Sequence, residues 1–179
     1  MTEHVILVDE KDIEIGTMPK MEAHEKGLLH RAFSVFIFNK KGELLLQQRA
    51  LDKYHSAGLW TNTCCSHPRS NESTINAAQR RLKEEMGIEC ELEKKFDFIY
   101  KTEFDNGLTE HEYDHVFFGE TDVIPQINKE EVHSWCYFSV HEIENELTTN
   151  PEKFTAWFKL CFDKVKQFTN GRNNKHILV

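Results

Sequence analysis

Proline and glycine are scarce in this 179-residue chain, with four Pro and eight Gly, which excludes collagen-like and linker-rich chains. Cysteine is sparse too. Cys64, Cys65, Cys90, Cys136 and Cys161 are odd in number and contain no CxxC spacing, so neither a disulfide framework nor a thioredoxin-like motif is indicated. No apolar run approaches the ~18 residues of a membrane helix. The opening residues, Met1-Thr2-Glu3-His4-Val5, do not resemble a secretory signal. The expectation is a reduced, soluble, cytoplasmic protein with no membrane partner. Positive charge is also short: Lys plus Arg is 22 against 30 for Asp plus Glu, a net charge of −8. A general nucleic-acid binder needs a broad basic surface and is excluded on that ground. A small anion is not, because a few cations or a metal reverse the potential within one pocket.

The residues that are present suit a packed globule: 39% hydrophobic, 29% charged, with 13 Phe. The length is that of about one domain of ~100–200 residues. With no repeat or linker in the sequence, we expect a single domain over 1–171 and a C-terminal tail over 172–179 to which no role is assigned. Short strands are expected at Val5 to Val8, His30 to Phe38, Glu43 to Arg49 and Leu59 to Cys64. Further strands are expected at Ile88 to Leu92, Phe96 to Thr102, Leu108 to Glu120 and Val132 to Phe138. Thr17-Met18-Pro19 is expected to open a short helix that Gly27 stops. Asn71 to Met86 carries the clearest helical stripe, Ile75, Ala78, Leu82 and Met86, ended by Gly87. Ser139-Val140-His141-Glu142 is a capping box. Asn150-Pro151 opens a last helix with Phe154, Trp157, Cys161, Val165 and Phe168 on its inner side, closed by Gly171. The sum is a mixed α/β (α+β) fold, a central mixed sheet with helices packed on it.

Several constellations have the residue types that chemistry needs, and each has a plainer explanation. Glu110 and Glu112 point to one side of a strand, the side shared by Val116 and Phe118. Two inward carboxylates require a cation between them, although the solvated end of a strand is the commoner case. His24, His30 and His67 would complete a set suited to Mn, Zn or Fe, but their spacing fits no zinc motif. His4, His55, His133, His141 and His176 read as surface or hydrogen-bonded residues. Arg81, Glu84 and Glu85 lie opposite the helix's apolar stripe, either as a solvated charged face or as a cation and phosphate site. Cys65, two residues before His67, is either a reactive thiol or an ordinary strand residue. Arg49 and Lys53 follow a strand, as phosphate ligands or exposed loop charges.

Taken in order, these pieces resemble a known family. Ser66-x5-Glu72-x7-Arg80-Arg81-Leu82-Lys83-Glu84-Glu85-Met86-Gly87-Ile88 resembles the Nudix box, Gly-x5-Glu-x7-Arg-Glu-U-x-Glu-Glu-x-Gly-U, where U is bulky and aliphatic. Ser66 replaces the leading Gly. Arg81 replaces a Glu that Nudix hydrolases commonly use for metal. Leu29-His30-Arg31-Ala32-Phe33-Ser34, Leu59-Trp60-Thr61-Asn62-Thr63-Cys64-Cys65-Ser66-His67-Pro68 and Glu110-His111-Glu112 extend the match to the type 1 isopentenyl-diphosphate delta-isomerases.

That resemblance implies a Nudix-like sheet core and an isomerase that converts isopentenyl diphosphate to dimethylallyl diphosphate. The reaction would proceed by protonation and deprotonation through a carbocation-like intermediate, in isoprenoid biosynthesis. It implies one divalent metal (Mn, Zn or Fe) on His24, His30, His67, Glu110 and Glu112, and catalytic roles for Cys65, Glu112 and Tyr100. It further implies Mg²⁺ carried on the substrate diphosphate near Glu85, with Lys20, Arg49, Lys53 and Arg81 binding the diphosphate and Trp157 over the hydrocarbon end. The partner would be a small-molecule diphosphate. The alternative is a Nudix hydrolase of a nucleoside or prenyl diphosphate.

Overall fold

The computed structural model describes residues 3–173. Its strands, in chain order, are β1 (His4–Val8), β2 (Glu14–Pro19), β3 (His30–Phe38), β4 (Leu44–Arg49), β5 (Trp60–Thr61), β6 (Cys64–Ser66), β7 (Leu92–Glu103), β8 (Thr109–Glu120) and β9 (Val132–Phe138). The helices are α1 (Lys20–Lys26), α2 (Thr74–Met86), α3 (Val140–Thr149) and α4 (Ala156–Asn173). All nine strands join one mixed sheet, with helices on both faces, the α+β architecture expected from the sequence.

Strand β3 organises the sheet. It runs antiparallel to β4 and β6 and parallel to β8, in continuous register from His30↔Glu112 to Phe38↔Glu120. Its sequence is almost wholly apolar because both of its faces are covered. Phe33, Val35 and Ile37 pack with Ala77, Ala78, Leu82 and Met86 of α2. Phe36 and Phe38 face the other way, against Phe158, Cys161, Phe162 and Val165 of α4. Strand β8 splits likewise: Phe117 faces α2, while Val116 and Phe118 face α4.

Helix α2 begins at Ser73, whose hydroxyl accepts from the Asn76 N–H. It ends at Gly87 in the left-handed conformation, φ 65°. The segment 121–131 then crosses the helix end, where the Gln126 and Asn128 N–H groups donate to the carbonyls of Met86 and Glu85 at 2.8 and 2.9 Å. A Cβ on Gly87 would sit 2.8 Å from the Gln126 carbonyl oxygen, so this approach requires glycine.

The structure corrects several local expectations. Residues 14–19 form a strand paired with β1, with Val5 opposite Met18, and the helix starts only at Lys20. Pro19 closes this edge strand, where its missing N–H leaves no ladder bond unmade. Ile88 to Leu92 is largely loop: Ile88 joins the α2 core as a buried anchor, and the strand begins at Leu92. Short apolar runs do not distinguish these outcomes. After Asn150 the chain makes a 3₁₀ turn, Pro151–Lys153, before α4 begins. Phe168 is 41% exposed, although its ring stacks on Phe96, whereas Phe154, Trp157, Cys161 and Val165 are buried as expected. Helix α4 continues through Gly171 to Asn173; the rest of the predicted tail lies outside the described residues. Among the described residues no helix is long and apolar enough to cross a membrane.

Candidate active site and metal centre

The expected strand from Leu59 to Cys64 is broken in two at Asn62 and Thr63, which fall between β5 and β6. Thr61, Asn62 and Thr63 are all fully buried. The Asn62 amide donates to the carbonyls of Val35 and Cys64 at 3.2 and 2.7 Å. The Thr63 hydroxyl donates to the Leu45 carbonyl at 2.6 Å and accepts from the Ile37 N–H at 2.9 Å. These side chains supply the bonds a continuous ladder would have made, as buried polar groups require. The chain is thereby switched from β4, which β5 pairs, to β3, which β6 pairs with Ser34 opposite Cys65. Cys64 is left in the α2 core and Cys65 against the α4 side. The Thr155 hydroxyl donates to Thr61 at 2.9 Å and its N–H to the Trp60 carbonyl, which anchors the start of α4 and with it Trp157.

His24, His30, His67 and Glu110 converge, with one ligand atom from each lying within 4.8 Å of the others. They come from four places: α1, the first residue of β3, the turn after β6, and β8. Backbone carbonyls orient two of the rings. His24 Nδ1 lies 2.7 Å from the Lys20 carbonyl and His30 Nδ1 2.8 Å from that of Leu28, which turns both Nε2 atoms into the cluster. His24 Nε2, His30 Nε2, His55 Nε2 and Glu110 Oε2 are buried and make no hydrogen bond of regular geometry, although His55 Nε2 approaches the other Glu110 oxygen closely. Buried polar atoms are ordinarily satisfied, so this convergence of imidazole nitrogens on a carboxylate fits a divalent metal. Glu112 borders the group, its Oε1 2.9 Å from His67 Nε2 and 3.7 Å from His30 Nε2. Glu110 and Glu112 are both buried, so the solvated-strand alternative for them does not hold.

Burial and the neighbouring Glu110 push the Glu112 carboxyl up, and His30 and His67 outweigh them, leaving it below its usual range. Burial also opposes ionisation of Glu110, but His24 and His55 hold it well below. The Tyr100 hydroxyl donates to Glu112 Oε2 at 2.6 Å, and burial keeps the phenol far above its normal pKa. Asp114 continues the same face. It accepts from Ser34 at 2.7 Å, and burial followed by the charge of Glu112 raises its pKa well above normal. Burial pushes the Cys65 thiol up to about 12, against the opposing pull of Arg49. At neutral pH the thiol therefore holds its proton.

One pocket is lined by Cys65, His67, Tyr100, Glu110 and Glu112 together with the expected cations Lys20, Arg49, Lys53 and Arg81 and with Glu85 and Trp157. Arg49 lies 5.3 Å from the Trp157 ring and donates to the His55 carbonyl at 3.3 Å. Arg81 bonds Glu85 at 2.6 Å and Glu84 at 2.9 Å. Glu85 also accepts from Gln47 at 3.0 Å. Lys20 pairs with Glu3 at 3.2 Å and lies 5.2 Å from the Tyr54 ring.

Five lining residues were not expected: Gln47, Tyr54, His55, Ser66 and Glu131. Glu131 bonds Lys53 and lies 3.2 Å from Arg81, so one carboxylate neutralises part of two cations. It arrives on the segment that caps α2, far in sequence from anything it touches. His55 read as an ordinary surface or core histidine, yet its Nε2 lies 2.7 Å from Glu110 Oε1. No spacing in the sequence signals either contact.

The NUDIX domain family model matches residues 28–158. Curated relatives cover nearly the whole chain. Isopentenyl-diphosphate Delta-isomerase of Pectobacterium atrosepticum is 56% identical over 164 residues, 92% of each chain. Isopentenyl-diphosphate Delta-isomerase 2 of Aromatoleum aromaticum is 51% identical over 165 residues, 92% of this chain and 87% of its own. Similar solved structures include DR0079 from Deinococcus radiodurans, with TM-score 0.76 and 17% identity over 90% of this chain and 98% of that one. A MutT protein from Methanosarcina mazei has TM-score 0.63 and 20% identity over 78% of this chain and 94% of its own. At those identities the two structures share the fold. The chain belongs to the NUDIX family and, within it, to the isopentenyl-diphosphate Delta-isomerases.

Proposed function

We propose that the chain moves the double bond of isopentenyl diphosphate to give dimethylallyl diphosphate, the activity for which its curated relatives are named. The observation that supports this most directly is the placement of Cys65 and Glu112. Strands β6 and β8 both pair with β3 at Ser34, so they lie along its opposite edges. Cys65 stands opposite Ser34 on one edge and Glu112 opposite His30 on the other, so the two side chains reach the site from different strands. Both residues open into one pocket.

The reaction places one proton on the terminal methylene and removes one from the carbon on the other side. An unactivated alkene is a poor base, so the site needs a positioned acid facing a positioned base. Cys65 enters as a neutral thiol, the form able to donate. Glu112 enters ionised, the form able to accept, with Tyr100 and His67 fixing its two oxygens. In the reverse direction the roles exchange. Positive charge that develops on the middle carbon is met by the face of Trp157, a π surface that cannot add to it. Water must be kept from the cation, which it would trap as an alcohol.

His24, His30, His67, Glu110 and Glu112 would hold one divalent ion of the Mn, Zn or Fe type, which when bound would fix the position and basicity of Glu112. Mg²⁺ would accompany the diphosphate at Glu85, neutralising charge that Lys20, Arg49, Lys53 and Arg81 also engage. The diphosphate takes no part in the bond changes; its binding positions the alkene. Diphosphate hydrolysis is the less supported reading, because Arg81 stands where the hydrolase box carries a metal-binding Glu, and it is occupied by Glu84, Glu85 and Glu131.

The test is metal-loaded protein with isopentenyl diphosphate and Mg²⁺ in D₂O, followed by proton and phosphorus NMR. Dimethylallyl diphosphate carrying deuterium, with no inorganic phosphate, is the expected result. Phosphate release without isomerised product would replace this reading with hydrolysis.

A further inference from the structure

The Glu110 carboxylate is divided between two groups of rings. Oε2 faces His24 Nε2 at 3.2 Å and His30 Nε2 at 4.0 Å. Oε1 faces His55 Nε2 at 2.7 Å, the shortest imidazole–carboxylate approach in the cluster. His55 lies outside the group of His24, His30, His67 and Glu110 that closes to within 4.8 Å, so it touches the carboxylate from behind.

His55 is buried and packed among aromatic rings. It is 6% exposed. Phe104 stacks on it at 4.6 Å with 13° between planes, and Tyr54 and Trp157 meet it edge-on at 4.4 and 5.9 Å. Its Nδ1 lies 3.2 Å from the Ser56 hydroxyl, so the local partner is taken by one nitrogen and the other is aimed at Glu110. A loop residue packed on three aromatic neighbours, with a ring nitrogen set against a buried carboxylate, has the features of an outer partner that fixes a ligand's direction.

We propose that His55 is a positioning residue: it holds Glu110 Oε1 so that Oε2 is presented to the slot between His24 and His30. This rests on the reading that the slot takes a divalent metal. The contact also connects three parts of the pocket, since the His55 carbonyl accepts from Arg49 and the His55 ring abuts Trp157. The loop that carries Lys53 is thereby fixed to the carboxylate at the metal end.

Two substitutions separate this from a packing role. His55→Phe keeps an aromatic ring between Phe104 and Tyr54 but removes the nitrogen. His55→Gln loses the stacking but offers an amide N–H to Glu110. Mn²⁺ or Zn²⁺ affinity is measured for the full chain by chelator competition, with circular dichroism as the control for folding. His55→Phe is expected to weaken metal binding ~10–100-fold, the usual effect of losing an outer partner, and His55→Gln to recover most of that loss. Unchanged affinity in His55→Phe, or a loss in His55→Gln as large as or larger than in His55→Phe, overturns the proposal. Absence of stoichiometric metal from the unsubstituted chain overturns both the proposal and the metal reading beneath it.

Discussion

Two stretches of β8 share one face and meet opposite surroundings. Glu110, Glu112 and Asp114 occupy the first part of that face, and Val116 and Phe118 the second. All five are buried. Glu110 and Glu112 are covered by imidazoles from α1, β3, the segment after β6 and the loop around residue 55, and Asp114 by the Ser34 hydroxyl. The apolar pair is covered by Phe36, Phe38 and the aromatic face of α4. Alternation along a strand decides which side a residue takes, and the elements laid over that side decide its chemistry. One face can therefore be an ionisable site at one end and a hydrocarbon core at the other.

Exchanging function for packing along this face should produce separable losses. The largest is at the polar end, where Glu112→Gln or Cys65→Ala should lower turnover of isopentenyl diphosphate ~10²–10⁴-fold, the usual worth of a positioned acid or base. Circular dichroism should stay unchanged. Turnover within tenfold of the unsubstituted chain, for either variant, would remove that residue from the acid–base pair. Next comes Phe118→Ala at the apolar end, expected to cost about 3–5 kcal/mol in denaturant unfolding, as large-to-small core changes do. The folded fraction should keep its metal content. A variant that unfolds like the parent but has lost its metal would mean that the two ends are not separate. The smallest is Tyr100→Phe, which removes the donor to Glu112 Oε2 and leaves the ring in place. It should reduce turnover ~10–100-fold with stability little altered. A loss as large as that of Glu112→Gln would make the phenol a direct participant in proton transfer.

The sequence carried the sheet's long strands and the boundaries of β3 and β9 because both are bounded by strong turns or caps and have clear burial patterns. It did not carry β2, whose residues include a helix-opening signal and whose pairing with β1 is a tertiary event. Nor did it carry the break at Asn62 and Thr63, since threonine is at home in a strand and only the buried partners reveal the switch. At the site, local chemistry left Glu110 and Glu112 ambiguous between solvent and metal. Resemblance to a family supplied the set His24, His30, His67, Glu110 and Glu112, and the structure brings these side chains together. His55 and Glu131 escaped both routes. They sit on loops, their partners are 55 and 50 or more positions away in the chain, and no periodicity constrains a loop.

The parallel pairing of β3 with β8 has a consequence for how the protein matures. His30 stands directly opposite Glu112 in that register, although more than 80 positions separate them in the chain. His24 and His30 are made early, Glu110 and Glu112 late, and every residue from 39 to 108 must be threaded between. Such distant pairings are assembled slowly, after local structure, because the intervening loop has to close before the contact stabilises anything. A nascent chain that has not yet paired these strands contains every ligand and no site. Capture of a metal by this cluster would therefore be tied to completion of the fold, and occupancy would report that these distant strands have found each other.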